Sequence, residues 1–257
     1  MWESGFPDYS FTHSSYQRSK SHSHAVSRLH RRAKLHNYRI LLRRLNRDRQ
    51  ILEVVEAVAN LGEALAKIEG VETLESLLGH EGNGSRIYFQ ALGALVQEPF
   101  AFEKRTRRPP QDPVNSLLSL GYTLLHQNLH SLILAVGLHS HFGNLHVPRD
   151  NHPALVSDLI EEFRAPVVDS FVMYLVNSSI FTPEDFTPPD NRGGVYLHSG
   201  ALKKYLKHWQ DKLSLETTHP HTGQTVSYYR CFELQVWEYI SCLMGERDTY
   251  RPMKWKI

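Results

Sequence analysis

The sequence of 257 residues is poor in cysteine, with only Cys231 and Cys242. Two thiols exclude a disulfide framework and a four-sulfur zinc site, and they fit a reducing compartment best. Long apolar runs are missing as well, because the longest, residues 131–138, ends at His139 and is much too short to cross a bilayer. The first residues lack the charged-then-apolar pattern of an export signal. We therefore expect a soluble, cytoplasmic protein with no membrane partner.

Several motifs that define enzyme classes are also absent. The sequence has no glycine-rich phosphate loop, no nucleophile elbow around a serine and no cysteine–histidine pairing. Three His-x-His pairs occur, but 16 histidines make close pairs common by chance, and further zinc ligands accompany none of them. The sequence therefore gives no support for a covalent enzyme nucleophile or a zinc centre.

The charge is nearly balanced in total but not along the chain. Lys and Arg number 29 against 27 Asp and Glu, which gives a net charge of +2. The first 50 residues carry +8 and the remaining residues −6, so a basic segment is joined to an acidic body. With 41% apolar and 11% aromatic residues, the chain has enough material for a core.

The apolar periodicity predicts an all-α protein. A disordered polar leader is expected over residues 1–23 and a helical domain over residues 24–257. The one β element expected is a short strand at residues 195–197. Helices are expected at residues 24–49, at 51–68, at 71–96 with an interruption around Gly79 and Gly82, from Pro113 after the N-cap Asp112, and at 153–177, 201–213 and 228–243.

Positive charge is concentrated in two places. On the first predicted helix, basic residues spaced three or four apart share one face. The proline loop after Lys104 cannot be helical and is expected to be basic and exposed. Either feature could neutralise DNA phosphates, and a merely solvated basic face is the alternative for each. The candidate nucleic-acid contacts are Arg28, Arg32, Arg39, Arg43, Arg105, Arg107 and Arg108.

Two carboxylates fall on the apolar stripe of the helix predicted at residues 153–177. Asp158 and Glu161 lie there in step with residues that must be buried, and a buried carboxylate needs a compensating partner. With His146 in the preceding loop, a site for Mg²⁺ or Mn²⁺ is one hypothesis. The alternative is that Asp158 and Glu162 form salt bridges with basic loops. Glu81 is a second candidate, although on the residues alone a helix-start glutamate without another role is the better interpretation.

Several ordered segments of the sequence together form a recognisable pattern. They are Ala33-Lys34 with Asn37, Glu81-Gly82, residues 86–89 (RIYF), 107–122 (RRPPQDPVNSLLSLGY), Gly137-Leu138, 142–146 (FGNLH), 157–164 (SDLIEEFR) and 250–252 (YRP). This pattern resembles the CRISPR-associated endonuclease family that integrates new spacers. The resemblance covers about residues 24–257, the helical catalytic domain of that family.

The resemblance implies a specific site and reaction. The family's catalytic metal ligands match Glu81, His146 and Glu161, and Asp158 matches an acidic position close to them that is either an additional ligand or a supporting residue. Mg²⁺ or Mn²⁺ is the implied cofactor. The implied reaction is attack by the 3′-hydroxyl of a captured DNA fragment on a strand of the CRISPR repeat, and with water as nucleophile it becomes DNA cleavage. The implied partners are DNA and a small CRISPR-associated partner dimer that bridges a homodimer.

The sequence departs from the family pattern in two places. Family members normally begin with a β-rich domain that dimerises and contacts the small partner, whereas only the polar leader precedes His24. We expect a truncated or split gene, a misassigned start, or a domain cut from a longer chain. His139-Ser140 also stands where Asp-Pro is typical. The alternative function is a DNA-binding or assembly subunit that is inactive alone, while the basic helix argues against a small-molecule hydrolase.

Overall fold

The fold is mostly helical, as seen in a computed structural model that describes residues 20–71, 73–144 and 152–256. The predicted fold class is therefore confirmed. Residues 1–19 of the predicted leader lie outside the described residues. In the described part of the chain, no helix combines the length and hydrophobicity that a membrane span requires. The helices are α1 Lys20–Leu45, α2 Leu52–Glu69, α3 Leu74–Ala94, α4 Pro113–Ala135, α5 Ala154–Ile160, α6 Ser170–Asn177, α7 Ser199–Ser214 and α8 Tyr228–Leu243.

The first three helices pack against one another, and α1 also packs against α5 and the segment Arg164–Asp169. α3 is continuous through Gly79 and Gly82, so the predicted interruption is wrong. Thr73 caps this helix by accepting a hydrogen bond from the backbone N–H of Ser76 at 3.2 Å. Each glycine lowers helix stability by only about 1 kcal/mol, and burial of apolar side chains such as Leu92 offsets that cost.

The helix α4 begins at the predicted cap. The Asp112 side chain accepts from the backbone N–H of Asn115 at 2.7 Å, and Pro113 occupies the first turn, where its missing N–H is not needed. Apolar residues on one face, including Leu118, Leu125 and Leu129, are buried. α4 packs against α5, α6 and α8 and is therefore central to the second half of the fold.

The segment predicted as one helix over residues 153–177 is interrupted. Between α5 and α6 lies a π-helical segment, Arg164–Asp169, which contains Pro166. Proline has no N–H to donate to the carbonyl four residues earlier, and its ring clashes with that carbonyl, so regular α-helix cannot pass through it. The carbonyl in question belongs to Glu162, and it accepts instead from the Asn37 side chain of α1 at 2.7 Å.

The β structure differs from the prediction. Residues 195–197 form no strand, and only an isolated antiparallel bridge joins Phe186 to Leu197. The two strands in the described part of the chain are β1 Glu216–Thr218 and β2 Thr225–Ser227, an antiparallel pair in which Thr217 faces Val226. These strands flank a turn at residues 219–223 and carry β-branched residues that suit a short hairpin.

The segment at residues 250–256 lies against α1 rather than forming a further helix. Asn37 donates to the carbonyl of Met253 at 3.0 Å and accepts from the backbone N–H of Trp255 at 2.9 Å. His36 contacts the Trp255 carbonyl at 2.9 Å. Asn37 is fully buried, so this one amide ties together α1, the start of the π-helical region and the last described segment.

Two helical glycines provide a test of this packing. A Cβ at Gly121 in α4 would lie 2.6 Å from Val168 Cγ1 and 2.7 Å from Tyr205 Oη, whereas one at Gly79 would meet nothing within 4 Å. We expect Gly121→Ala to lower the free energy of unfolding by about 1–3 kcal/mol through overpacking. Gly79→Ala should raise it by about 0.5–1 kcal/mol, because alanine restricts the unfolded chain. Urea denaturation followed by circular dichroism measures both, and effects of the same sign would contradict the close approach at Gly121.

Candidate metal centre and basic groove

Glu81 and Glu161 lie on different helices of the fold but converge on one point. Glu81 belongs to α3, and Glu161 directly follows α5. Both carboxylates contact the ammonium of Lys34 on α1, at 2.5 Å for Glu81 Oε1 and 2.7 Å for Glu161 Oε2. The Lys34 side chain is 6% exposed, so this pairing takes place out of water. The structure therefore brings together two of the residues that the sequence analysis singled out.

Two arginines complete the ion-pair cluster. Arg31 donates to Glu81 at 2.5 Å, and Arg164 donates to Glu161 at 2.7 Å. Burial lowers the pKa of Arg31, and the charges of Glu81, Glu161 and Asp158 partly oppose that shift. For Arg164, burial acts to lower the pKa, but nearby Glu161 and further groups outweigh it and raise the pKa well above its ordinary value. Both guanidinium groups stay charged and hold the carboxylates in place.

Asp158 holds the loop that leads to His146. Its carboxylate is fully buried and accepts from the backbone N–H of Asn144 at 2.5 Å. The loop comes so close that a Cβ at Gly143 would lie 2.7 Å from the same Asp158 oxygen. His146 itself lies outside the described residues, which resume at His152. Through this contact Asp158 fixes the loop at Asn144 against α5.

The chemistry of this donor set fits a hard divalent cation. Carboxylate oxygens are the ligands that Mg²⁺ and Mn²⁺ prefer, and two of them from Glu81 and Glu161 already surround one positive charge. The residues described by the structure contain no group of three His, Cys, Asp or Glu side chains placed to hold a metal ion. The position matched to the third family ligand, His146, is outside those residues.

The cationic partners of these carboxylates were not predicted from the sequence. Arg31 and Lys34 are one turn apart on α1, on a face that the predicted basic stripe does not include, and both are buried. Arg164 directly follows the acidic segment. The available signal was the resemblance at Ala33-Lys34, together with the need of any buried carboxylate for a positive partner.

The predicted basic stripe of α1 largely faces α2. Arg28 donates to the Glu69 carbonyl at 3.3 Å, Arg32 pairs with the Glu69 carboxylate, and Arg39 donates to the Val58 carbonyl at 3.1 Å. These three side chains are half-buried, whereas Arg43 is exposed. Most of the stripe therefore links α1 to α2 and does not form a free basic surface, because α1 is packed against other helices of the fold.

The proline loop is non-helical as predicted, but Arg105 is not exposed. Its guanidinium donates to Asn115 Oδ1 at 2.8 Å and to Ser119 Oγ at 2.9 Å, and burial lowers its pKa. Arg105 therefore braces the loop against α4, which corrects the expectation that it lies free for phosphates. Arg107 and Arg108 are exposed.

These two arginines line a surface groove of about 520 Å³. A third arginine, Arg192, and the half-exposed ring of Tyr196 lie on its walls. Positive charge beside an aromatic ring and hydroxyl groups suits a phosphate-bearing chain with unpaired bases. The lining residues are Arg107, Arg108, Pro109, Pro110, Ser116, Ser119, Leu120, Thr123, Arg192, Tyr196, Leu197 and Leu202.

Glu162 faces away from the centre, although it follows Glu161 directly. It is fully buried and accepts from Tyr250 Oη at 2.5 Å, from Gln235 Nε2 at 3.2 Å and from the backbone N–H of Met253. The expectation of a salt bridge to a basic loop is therefore wrong for Glu162, since its partners here are neutral donors. Burial raises the pKa of Glu162 to about 8, although these hydrogen bonds act in the opposite direction.

Comparison with known proteins identifies relatives of this chain. The family model described as CRISPR associated protein Cas1 matches residues 9–211. The chain is 40% identical over 197 residues to CRISPR-associated endonuclease Cas1 3 of Thermus thermophilus, covering 77% of this chain and 59% of that protein. It is 34% identical over 234 residues to CRISPR-associated endonuclease Cas1 4 of Methanospirillum hungatei, covering 91% and 64%. The chain thus spans about three-fifths of the length of these relatives.

Solved structures share the fold. A chain of a Cas6-RT-Cas1–Cas2 complex superposes with a TM-score of 0.81 at 26% identity, covering 95% of this chain and 26% of that chain. A casposase bound to its integration product also gives a TM-score of 0.81, at 21% identity, covering 95% of this chain and 67% of that chain. At that lower identity, the similarity concerns the fold alone.

The buried Glu162 predicts a pH dependence of stability. Its pKa is raised from 4.5 to about 8 on folding, so the folded state binds the proton more tightly than the unfolded state does. The stability that this proton contributes is complete below the unfolded pKa and is lost as the pH rises through the folded pKa. We expect Glu162→Gln to flatten the decline in unfolding free energy between about pH 5 and pH 8. Urea denaturation at several pH values measures the slope, with the exposed Glu56→Gln as control, and an unchanged slope in Glu162→Gln would refute the shift.

Proposed function

This chain belongs to the Cas1 family of CRISPR-associated proteins, and from that premise we propose that it is a metal-dependent DNA endonuclease and integrase. Its role would be to insert captured DNA fragments into a CRISPR array as new spacers. One observation carries the proposal: Glu81 and Glu161, far apart in sequence, converge on a single buried cationic position. Buried carboxylates gathered in this way favour a cation site over a purely structural role.

The residues that would hold Mg²⁺ or Mn²⁺ are Glu81 and Glu161, with His146 at the position that the family resemblance gives. Asp158 has a supporting role, because its carboxylate fixes the loop at Asn144, two residues before His146. A divalent cation supplies polarisation of the phosphate and stabilisation of charge on the leaving oxygen. Arg31 and Arg164 orient one carboxylate each, so little reorganisation is needed when a substrate arrives.

The proposed reaction is a transesterification. The 3′-hydroxyl of the captured fragment forms a new bond to phosphorus, the bond to the 3′-oxygen of the repeat strand breaks, and that oxygen takes up a proton. When water replaces the 3′-hydroxyl, the product is a cleaved strand. No enzyme nucleophile takes part, which agrees with the absence of a serine or cysteine nucleophile motif from the sequence.

DNA binding is proposed for the groove beside the proline loop. Arg107, Arg108 and Arg192 supply positive charge there, and Tyr196 offers a stacking surface. Arg43 is the exposed member of the α1 stripe. The relatives solved as a Cas6-RT-Cas1–Cas2 complex support a small partner protein, and we propose a homodimer bridged by it. The site of action would be the cytoplasm.

A second candidate function is a DNA-binding or assembly subunit that is inactive alone. Lys34 favours it, because its ammonium already pairs with both carboxylates and Arg31 and Arg164 add further positive charge beside them. In this reading the same basic groove binds DNA, but no strand is cut or joined without a further component.

We expect Glu81→Ala, His146→Ala and Glu161→Ala each to reduce Mn²⁺-dependent nicking and integration by at least about a hundredfold, because each removes a proposed ligand. A gel assay with supercoiled DNA and a labelled fragment measures both activities. Glu56→Ala, which removes an exposed carboxylate from α2, is the matched control and should leave activity unchanged. Full activity in all three variants would sink the site assignment, and an inactive wild type that binds DNA would favour the subunit function.

The double variant Arg107→Gln/Arg108→Gln tests the groove. We expect weaker binding of single-stranded DNA and a shallower dependence of log K on log salt, by about 0.7 for each arginine removed. Fluorescence anisotropy over a salt titration measures the slope. The control Lys67→Gln/Lys203→Gln removes the same charge from exposed positions that do not line the groove. An equal change of slope in both double variants would indicate only general charge attraction.

A further inference from the structure

Lys34 occupies an unusual position among the charged residues of the centre. It is the cation that contacts both proposed ligands, whereas Arg31 contacts Glu81 and Arg164 contacts Glu161. Its ammonium lies at the end of a flexible four-carbon stem, which can move more readily than a guanidinium held between planar partners. Lys34 can therefore leave this point without unpacking α1.

The same point suits a divalent cation. Mg²⁺ binds carboxylate oxygens at about 2.0–2.1 Å, closer than the 2.5 Å and 2.7 Å contacts that Lys34 makes. A metal ion held between Glu81 and Glu161 would thus take the space of the Lys34 ammonium. Two positive charges at that separation repel strongly when water is excluded. The ammonium and the metal ion cannot both hold the two carboxylates.

The charge balance of the cluster leads to the same conclusion. Three cations, Arg31, Lys34 and Arg164, are in direct contact with the carboxylates of Glu81 and Glu161. Asp158 and Asp169 act on Arg31 and Arg164, respectively, through their charge. A divalent cation brings two more positive charges to carboxylates that already have cationic partners, which favours withdrawal of one cation or entry of an anion.

A second position for the ammonium lies close by. The ring of Tyr38, one turn further along α1, has its centroid 5.8 Å from Lys34 Nζ. That distance is at the outer limit of a cation–π contact, so a modest rotation of the stem would place the ammonium over the ring. Tyr38 is itself fixed, because its ring stacks on Tyr88 with centroids 3.6 Å apart.

We propose that Lys34 is a resident counter-cation of the centre. It pairs with Glu81 and Glu161 while no metal is bound, and it withdraws toward Tyr38 when Mg²⁺ or Mn²⁺ takes its place. Lys34 and the metal ion then compete for the same two carboxylates. This competition weakens metal affinity, and Lys34 keeps the carboxylates paired in the metal-free protein. The inference rests on the proposed function only in taking Glu81 and Glu161 as metal ligands.

Metal binding by the purified full chain tests the competition. Free Mn²⁺ is followed by electron paramagnetic resonance during titration of the wild type, Lys34→Met, Lys34→Gln and the control Lys67→Met, which removes an exposed lysine from α2. We expect both Lys34 variants to bind Mn²⁺ at least tenfold more tightly than the wild type, and Lys67→Met to bind as the wild type does. Equal or weaker binding by the Lys34 variants would overturn the inference.

Thermal unfolding gives an independent readout. Without metal, the Lys34 variants should melt at a lower temperature than the wild type, because two buried carboxylates lose their shared partner. Saturating Mn²⁺ should raise their melting temperature by more than it raises that of the wild type. A variant that folds only with Mn²⁺ present supports the proposal. A metal-induced shift no larger than that of the wild type contradicts it.

A measurement on the wild type needs no variant to fold. Nuclear magnetic resonance of lysine ammonium groups should show a protected Lys34 signal that moves or disappears when Mg²⁺ is added. An unchanged signal at saturating Mg²⁺ refutes the competition while leaving the metal site intact. Absence of Mn²⁺ binding in the wild type and in both Lys34 variants refutes the proposed function itself, so the two failures are distinguishable.

Discussion

The need to neutralise carboxylates inside a helical core governs the arrangement of this molecule. An unpaired ionised carboxylate removed from water costs several kcal/mol, so a helix that carries one must place it against a positive charge or hydrogen-bond donors. α1 meets this need for both α3 and the end of α5 through Lys34 and Arg31. Its central place in the packing therefore follows from electrostatics as much as from apolar area.

A second, neutral anchor lies beside this charged one. Pro166 prevents regular helix, which leaves the carbonyl of Glu162 for Asn37, and the Glu162 side chain turns to Tyr250 and the backbone of Met253. Neighbouring residues thus serve different purposes: Glu161 enters the ion-pair cluster, and Glu162 fixes the segment at residues 250–256. The widened turn after Glu162 allows the chain to change from one environment to the other.

Local signals in the sequence were sufficient for most of the helices. Apolar periodicity and the Asp112-Pro113 start predicted helices close to those observed, such as the helix predicted at residues 51–68 and found at Leu52–Glu69. The prediction of a strand at residues 195–197 was wrong, because strand formation depends on a pairing partner that local sequence does not reveal. The prediction of one continuous helix over residues 153–177 was wrong because it ignored Pro166. A proline at that position already indicates a break in regular α-helix.

The candidate site was predictable only in part. The spacing of Asp158 and Glu161 in step with apolar residues predicted that both are buried, as they are in the structure. The role of Glu81 as a metal ligand was predicted from the family resemblance alone. The basic stripe on α1 was recognised as a periodic pattern, yet periodicity cannot say whether such a face meets solvent or another helix. Only tertiary packing shows that Arg28, Arg32 and Arg39 join α2.

The contact between Asn37 and Met253, which are 216 residues apart in sequence, bears on the order of folding. Contacts of such long separation form slowly, because the entropy of closing the intervening chain is lost before the contact stabilises it. Until residues 250–256 pack against α1, the Asn37 amide must be hydrated or paired with something else. Completion of the environment of Asn37 is therefore a late event in folding.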